Sequence, residues 1–127
     1  MNLTTPLSKV LGLGAAKSGV EHWWAQRLTA AALVPLGLWF AVALVRLESL
    51  DYAAVVEWLG NPITAVLLLL TAVVGVYHSH LGVQVVVEDY VAAKAAKVLT
   101  LVVSAFAHVV LAVAAAFAIL KVAFGAV

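Results

Sequence analysis

The sequence predicts an all-α integral membrane protein, a bundle of three transmembrane helices with a short interfacial helix on its N-terminal side. The first observation is composition. Of 127 residues, 66% are hydrophobic and only 10% are charged, against roughly a quarter charged in a soluble domain. So few charges cannot coat a globule, and most of the surface must face lipid. The second observation is patterning: three apolar stretches, at about 28–45, 62–87 and 98–120, are separated by short polar segments. At 1.5 Å rise per residue, about 20 apolar residues cross a hydrocarbon core of roughly 30 Å. Lipid offers no partner for an open sheet edge and three segments cannot close a barrel, so all three are helices. The length suits one domain, 1–127.

Each element has its own signal. The N-terminal stretch MNLTTPLSKVLGLGAAKSG lacks the strong apolar core of a signal peptide. After it, EHWWAQR (21–27) joins paired tryptophans to an arginine, a pattern suited to a helix lying at headgroup level, whether as a simple anchor or as part of a site. The first span runs between Arg27 and Arg46 and is only just long enough. Residues 47–60 alternate charged and apolar positions (Leu47, Leu50, Tyr52, Val55, Val56, Trp58, Leu59) and predict a short amphipathic surface helix. Asn61-Pro62 opens the second span as a cap followed by a first-turn proline. The third span lies between Lys97 and Lys121.

Charge sets the expected orientation. Lys9, Lys17 and Arg27 precede the first span, and Lys94 and Lys97 lie in the second connection, whereas the first connection sets Arg46 against Glu48, Asp51 and Glu57. The positive-inside rule then puts the N-terminus and the second connection in the cytoplasm, with Lys121 pulling weakly the other way. A net charge of +1 gives no sign of a nucleic-acid partner. The absence of cysteine excludes disulfides, thiolate zinc sites, iron–sulfur ligation and thiol catalysis.

The chemistry-bearing residues are few. His78 and His80 lie in the second span and His108 in the third, and ionisable groups inside a span mark functional sites by default. At 100° per residue, Thr71, Gly75, His78 and Gly82 share a stripe about 80° wide, while His80 points about 200° from His78. Two readings fit the stripe. The glycines leave room for a flat macrocycle whose iron His78 would ligate, or they allow close helix packing, with His78 as an interhelical hydrogen bond. His80 reads as a packing histidine or as one that hydrogen-bonds a ligating residue. His108, beside Ser104, Ala105 and Ala112, is either a second ligand or a polar crosslink to a neighbouring helix. Glu88, Asp89 and Tyr90 end the second span. They are either an ordinary polar and aromatic boundary or a phenol and carboxylate serving a quinone.

Taken together, the segments HWWAQRLTA and HSHLGVQVVVEDYV resemble the hydrophobic membrane anchor, the D subunit, of succinate dehydrogenase (succinate:quinone oxidoreductase, complex II). The specific part is His78, with Gly82 four residues on and Asp89-Tyr90 eleven and twelve residues on. The resemblance implies that His78 is one axial ligand of a haem b whose other ligand comes from a second, cytochrome b-type anchor subunit. It implies that Tyr90 contacts ubiquinone with Asp89 beside it, and that Arg27 lies near the haem propionates and the quinone. The implied role is to tether an iron–sulfur subunit and a flavoprotein subunit to the inner membrane. The assembly would oxidise succinate and reduce ubiquinone, as in the tricarboxylic acid cycle and respiratory electron transport, and this chain would not be catalytic alone. Tyr90 lies about 18 Å along the helix from His78, which places the quinone at the cytoplasmic surface and the haem deeper. The alternatives are a fumarate reductase anchor, a self-contained cytochrome b module held by His78 and His108, and a cofactor-free structural subunit.

Overall fold

A computed structural model describes residue 10 and residues 19–125. Lys9, Lys17 and most of the stretch read against a signal peptide lie outside the described residues. Four helices follow in order: α1 (Gly19–Arg46), α2 (Tyr52–Gly60), α3 (Pro62–Tyr90) and α4 (Lys94–Ala123). Three of them, α1, α3 and α4, are long and apolar enough to cross a membrane. The all-α transmembrane architecture expected from composition is therefore present.

The long helices overrun the apolar windows at most ends, because a helix does not stop where hydrophobicity stops. It stops where capping or turn chemistry ends the hydrogen-bond ladder. The segment EHWWAQR accordingly forms no separate interfacial helix and instead makes early turns of α1. Twenty-eight residues give about 42 Å of helix, more than a hydrocarbon core needs. The surplus carries the tryptophans on the same rod. There Trp23 and Trp24 meet edge-on at 5.0 Å, and the Arg27 guanidinium lies 5.6 Å from the Trp23 ring centre.

Asn61 does two jobs in the tightest connection. Its backbone N–H donates to the Trp58 carbonyl at the end of α2, and its side-chain oxygen accepts from the Ile63 and Thr64 amides that open α3. Pro62 occupies the first turn, where its missing N–H costs nothing. Asp51 caps α2 by accepting from the Ala54 amide at 2.9 Å. That bond, with a second from the Ser49 hydroxyl, holds the Asp51 carboxyl below its ordinary value. At the other end of α3, Lys97 donates to the Glu88 carbonyl at 2.6 Å and ties the start of α4 to the last turn of α3.

The middle member is α3. It packs against α1 on one side and α4 on the other, and the backbones of α1 and α4 do not pack on each other. The short α2 sits across the α3–α4 seam, where Leu59 joins Ala65 and Ile119 in a small buried cluster. Among the described residues only five hydrophobic side chains are buried, and large apolar residues such as Leu38, Val66, Phe106 and Phe117 stand exposed along the long helices. An aqueous protein would not leave such surface open. Here lipid and neighbouring helices are its natural cover.

Candidate functional site, a histidine held between two membrane helices

The antiparallel pair α1–α3 sets the geometry. Leu33 lies against Gly75 and Gln26 against Gly82, and between them Thr29 meets His78. The His78 Nδ1 lies 2.8 Å from the Thr29 hydroxyl oxygen. His78 is half-buried, and its other ring nitrogen has no hydrogen-bond partner among the described residues.

The glycine stripe therefore faces α1 of the same chain. A β-carbon added at Gly75 would sit 3.9 Å from a Leu33 methyl, and one at Gly82 would sit 3.8 Å from the Gln26 side-chain nitrogen. Both are ordinary contact distances. Of the two readings of the stripe, helix packing accounts for the glycines. His78 makes the interhelical hydrogen bond of that reading, to Thr29, and its second ring nitrogen has no partner among the described residues.

The opposite side of α3 is arranged differently. The His80 and His108 rings lie 5.3 Å apart, tilted by 58°. His108 Nδ1 lies 2.7 Å from the Ser104 carbonyl, which can only accept, so Nδ1 carries the proton. Its Nε2 then accepts from the Ser79 hydroxyl at 3.3 Å. His108 is thus the polar crosslink between α3 and α4 that the sequence offered as one of two fates. The module in which His78 and His108 clasp one haem is contradicted by this placement. The two side chains bond into different interfaces, His78 to Thr29 of α1 and His108 to Ser79 of α3, because residues 78 and 79 diverge by about 100° around a helix.

The remaining site residues are surface groups. Arg27 is exposed over Trp23. Asp89 and Tyr90 are exposed at the C-terminal end of α3, Tyr90 at 83%. The register of α1 against α3 puts Arg27 on the membrane side toward which Asp89 and Tyr90 extend. The structure brings His78 into the α1–α3 interface but draws neither Arg27 nor Tyr90 into a closed pocket.

Sequence reasoning missed a polar line on α1. His22, Gln26 and Thr29 follow the i, i+4, i+7 spacing of one helix face. His22 Nε2 and Gln26 Oε1 are buried without a partner. Three polar residues on one face of α1 were the available signal.

The donor chemistry suits one axial ligand of a haem. One imidazole nitrogen is anchored by a neighbour and the other is left over, as metal-ligating histidines usually are. Among the described residues no second imidazole is placed against His78, so a low-spin bis-histidine site would take its other ligand from another chain.

Comparison with known proteins agrees with the membrane-anchor resemblance. The family described as succinate dehydrogenase/fumarate reductase transmembrane subunit matches residues 1–120. The succinate dehydrogenase hydrophobic membrane anchor subunit of Paracoccus denitrificans is 29% identical over 127 residues, covering 100% of this chain and 98% of that one. The corresponding subunit of Rickettsia bellii is 39% identical over 83 residues, 65% of this chain and 66% of the relative. The succinate dehydrogenase membrane anchor subunit of Reclinomonas americana is 33% identical over 87 residues, 65% of this chain and 72% of the relative. The matched part thus spans about two thirds of the Rickettsia relative's length. No solved structure matches. With its three membrane-crossing helices and a match over nearly all its length, the chain belongs to the family of succinate dehydrogenase/fumarate reductase transmembrane subunits.

Proposed function

We propose that this chain anchors a succinate dehydrogenase in the cytoplasmic membrane and supplies part of its haem b and ubiquinone sites. Its N-terminus and the α3–α4 connection face the cytoplasm. There the chain meets the iron–sulfur and flavoprotein subunits that carry out succinate oxidation, while a second anchor subunit covers the exposed apolar faces of the bundle. The observation that carries the proposal is His78, a mid-span imidazole with one nitrogen anchored on Thr29 and the other without a partner among the described residues, in a chain of this family. Desolvating such a group for packing alone is costly. Use as a ligand accounts for it.

When bound, haem b would supply a one-electron store. His78 would be one of its axial ligands and the second anchor would supply the other. Arg27 would place a guanidinium near the propionates, where a planar cation suits carboxylates. Tyr90 would donate its phenolic hydrogen bond to a quinone carbonyl, and Asp89 would pass a proton toward the reduced oxygen. The quinone takes up two electrons and two protons to become quinol. The electrons come from the iron–sulfur subunit, since a chain without cysteine cannot hold such a cluster.

The test is a dithionite-reduced minus oxidised visible spectrum of the complex purified through a tag on this chain, beside a His78→Ala version. Sharp b-type bands in the parent, lost or altered in the variant, are the expected result. A flat spectrum from an intact parent complex would remove His78 as a ligand and leave the anchor role alone.

A further inference from the structure

The hydrogen bonds around Thr29 determine which nitrogen of His78 carries the proton. The Thr29 Oγ1 lies 2.7 Å from the Ala25 carbonyl and 3.1 Å from the Gln26 carbonyl, as well as 2.8 Å from His78 Nδ1. A hydroxyl has one proton to give and lone pairs to receive others. A carbonyl can only accept, so the short contact to Ala25 requires the threonine proton. If that proton pointed at His78 instead, the hydroxyl oxygen would face two carbonyl oxygens with no hydrogen between them. Back-bonding of this kind is an ordinary habit of threonine inside a helix. Thr29 must therefore accept, and His78 must donate from Nδ1.

We infer that Thr29 is a positioning residue for His78: its hydroxyl holds the ring in the Nδ1–H tautomer and leaves the Nε2 lone pair as the ligating atom. The inference rests on the haem reading above and adds a residue to it. The orientation is robust because α3 is held on both sides at this level. Thr29 on α1 grips His78, and His108 on α4 accepts from Ser79, the next residue along. Consecutive residues are about 100° apart around a helix, so two such bonds oppose rotation of α3 about its axis. Accepting a hydrogen bond from Nδ1–H also makes the imidazole a more basic ligand, which favours the ferric over the ferrous state of a bound iron.

The experiment compares Thr29→Val and Thr29→Ser with the parent in the purified complex, reading the haem midpoint potential and the low-spin ferric electron paramagnetic resonance signal. Valine keeps the branched shape and removes the acceptor, while serine keeps the hydroxyl. The expected result is a raised midpoint and shifted g-values in Thr29→Val, with parent-like values in Thr29→Ser. If Thr29→Val fails to retain haem while Thr29→Ser retains it, the inference is supported by that loss. A Thr29→Val complex with the parent's potential and signal overturns the inference but leaves haem ligation standing. A parent complex without haem overturns the haem reading, and the inference with it, and leaves the anchor role.

Discussion

Histidines stand in both interfaces of α3, His78 facing α1 and His108 of α4 facing α3, and they are furnished in opposite ways. Toward α4, His108 has both ring nitrogens engaged, one on the Ser104 carbonyl and one on the Ser79 hydroxyl. Toward α1, His78 has one nitrogen engaged and one without a partner among the described residues. A membrane histidine whose polar atoms are all satisfied is a crosslink, complete within its own chain. One left half-satisfied keeps a nitrogen available for a further partner; His80 likewise has a buried Nδ1 without a partner among the described residues. The comparison teaches that depth in the membrane does not distinguish the two roles. The difference lies in the neighbours.

The strongest way to break the comparison is to exchange the losses. His78→Ala is expected to abolish or transform the b-type absorbance of the complex, whereas His108→Ala leaves the bands in place. Equal loss from both variants would erase the distinction. Next in size is Tyr90→Phe, expected to lower the quinone reductase kcat/KM about tenfold, the scale of one lost hydrogen bond of roughly 1.4 kcal/mol. Succinate oxidation by an artificial acceptor stays unchanged in that variant. A parent-like rate with ubiquinone would return Tyr90 to the membrane boundary as an aromatic anchor.

Smaller effects sharpen the structural side. His108→Leu is expected to weaken the α3–α4 pair by about 0.6–1.5 kcal/mol, the range measured for interhelical hydrogen bonds in bilayers. Thermal unfolding in detergent reads this, with the haem spectrum unchanged. Gly75→Ala is expected to alter this chain's stability by less than about 1 kcal/mol, since alanine is the better helix former and the new methyl meets Leu33 at an ordinary 3.9 Å. A loss of haem from that variant without a loss of stability would show that a bound group or partner, and not α1, needs the glycine.

Much of this was legible in the sequence. The three spans follow from the length and apolarity of their segments, and Asn61-Pro62 marked the start of α3 at the residue where it occurs. The late start expected for the first span, and the separate helix before it, were not borne out, because Trp23, Trp24 and Arg27 ride on one continuous helix from Gly19. The divergence of His78 and His80 was visible from helical geometry. What each would meet was not, since the partner of a side chain depends on which helix comes to that face.

The sequence by itself determined that this chain lives in a bilayer, how many times it can cross, and which few polar residues lie inside. Those are consequences of the cost of polar groups in lipid and of helical rise, both local properties. Only the tertiary structure decided that α3 lies between α1 and α4, that the glycines serve α1, and that Thr29 and Ser79 are the hydroxyls set against His78 and His108. Apolar helices in lipid gain little from hydrophobic burial against one another, so their arrangement is set by shape and a handful of hydrogen bonds. Those belong to pairs of distant residues, and no stretch of sequence contains them.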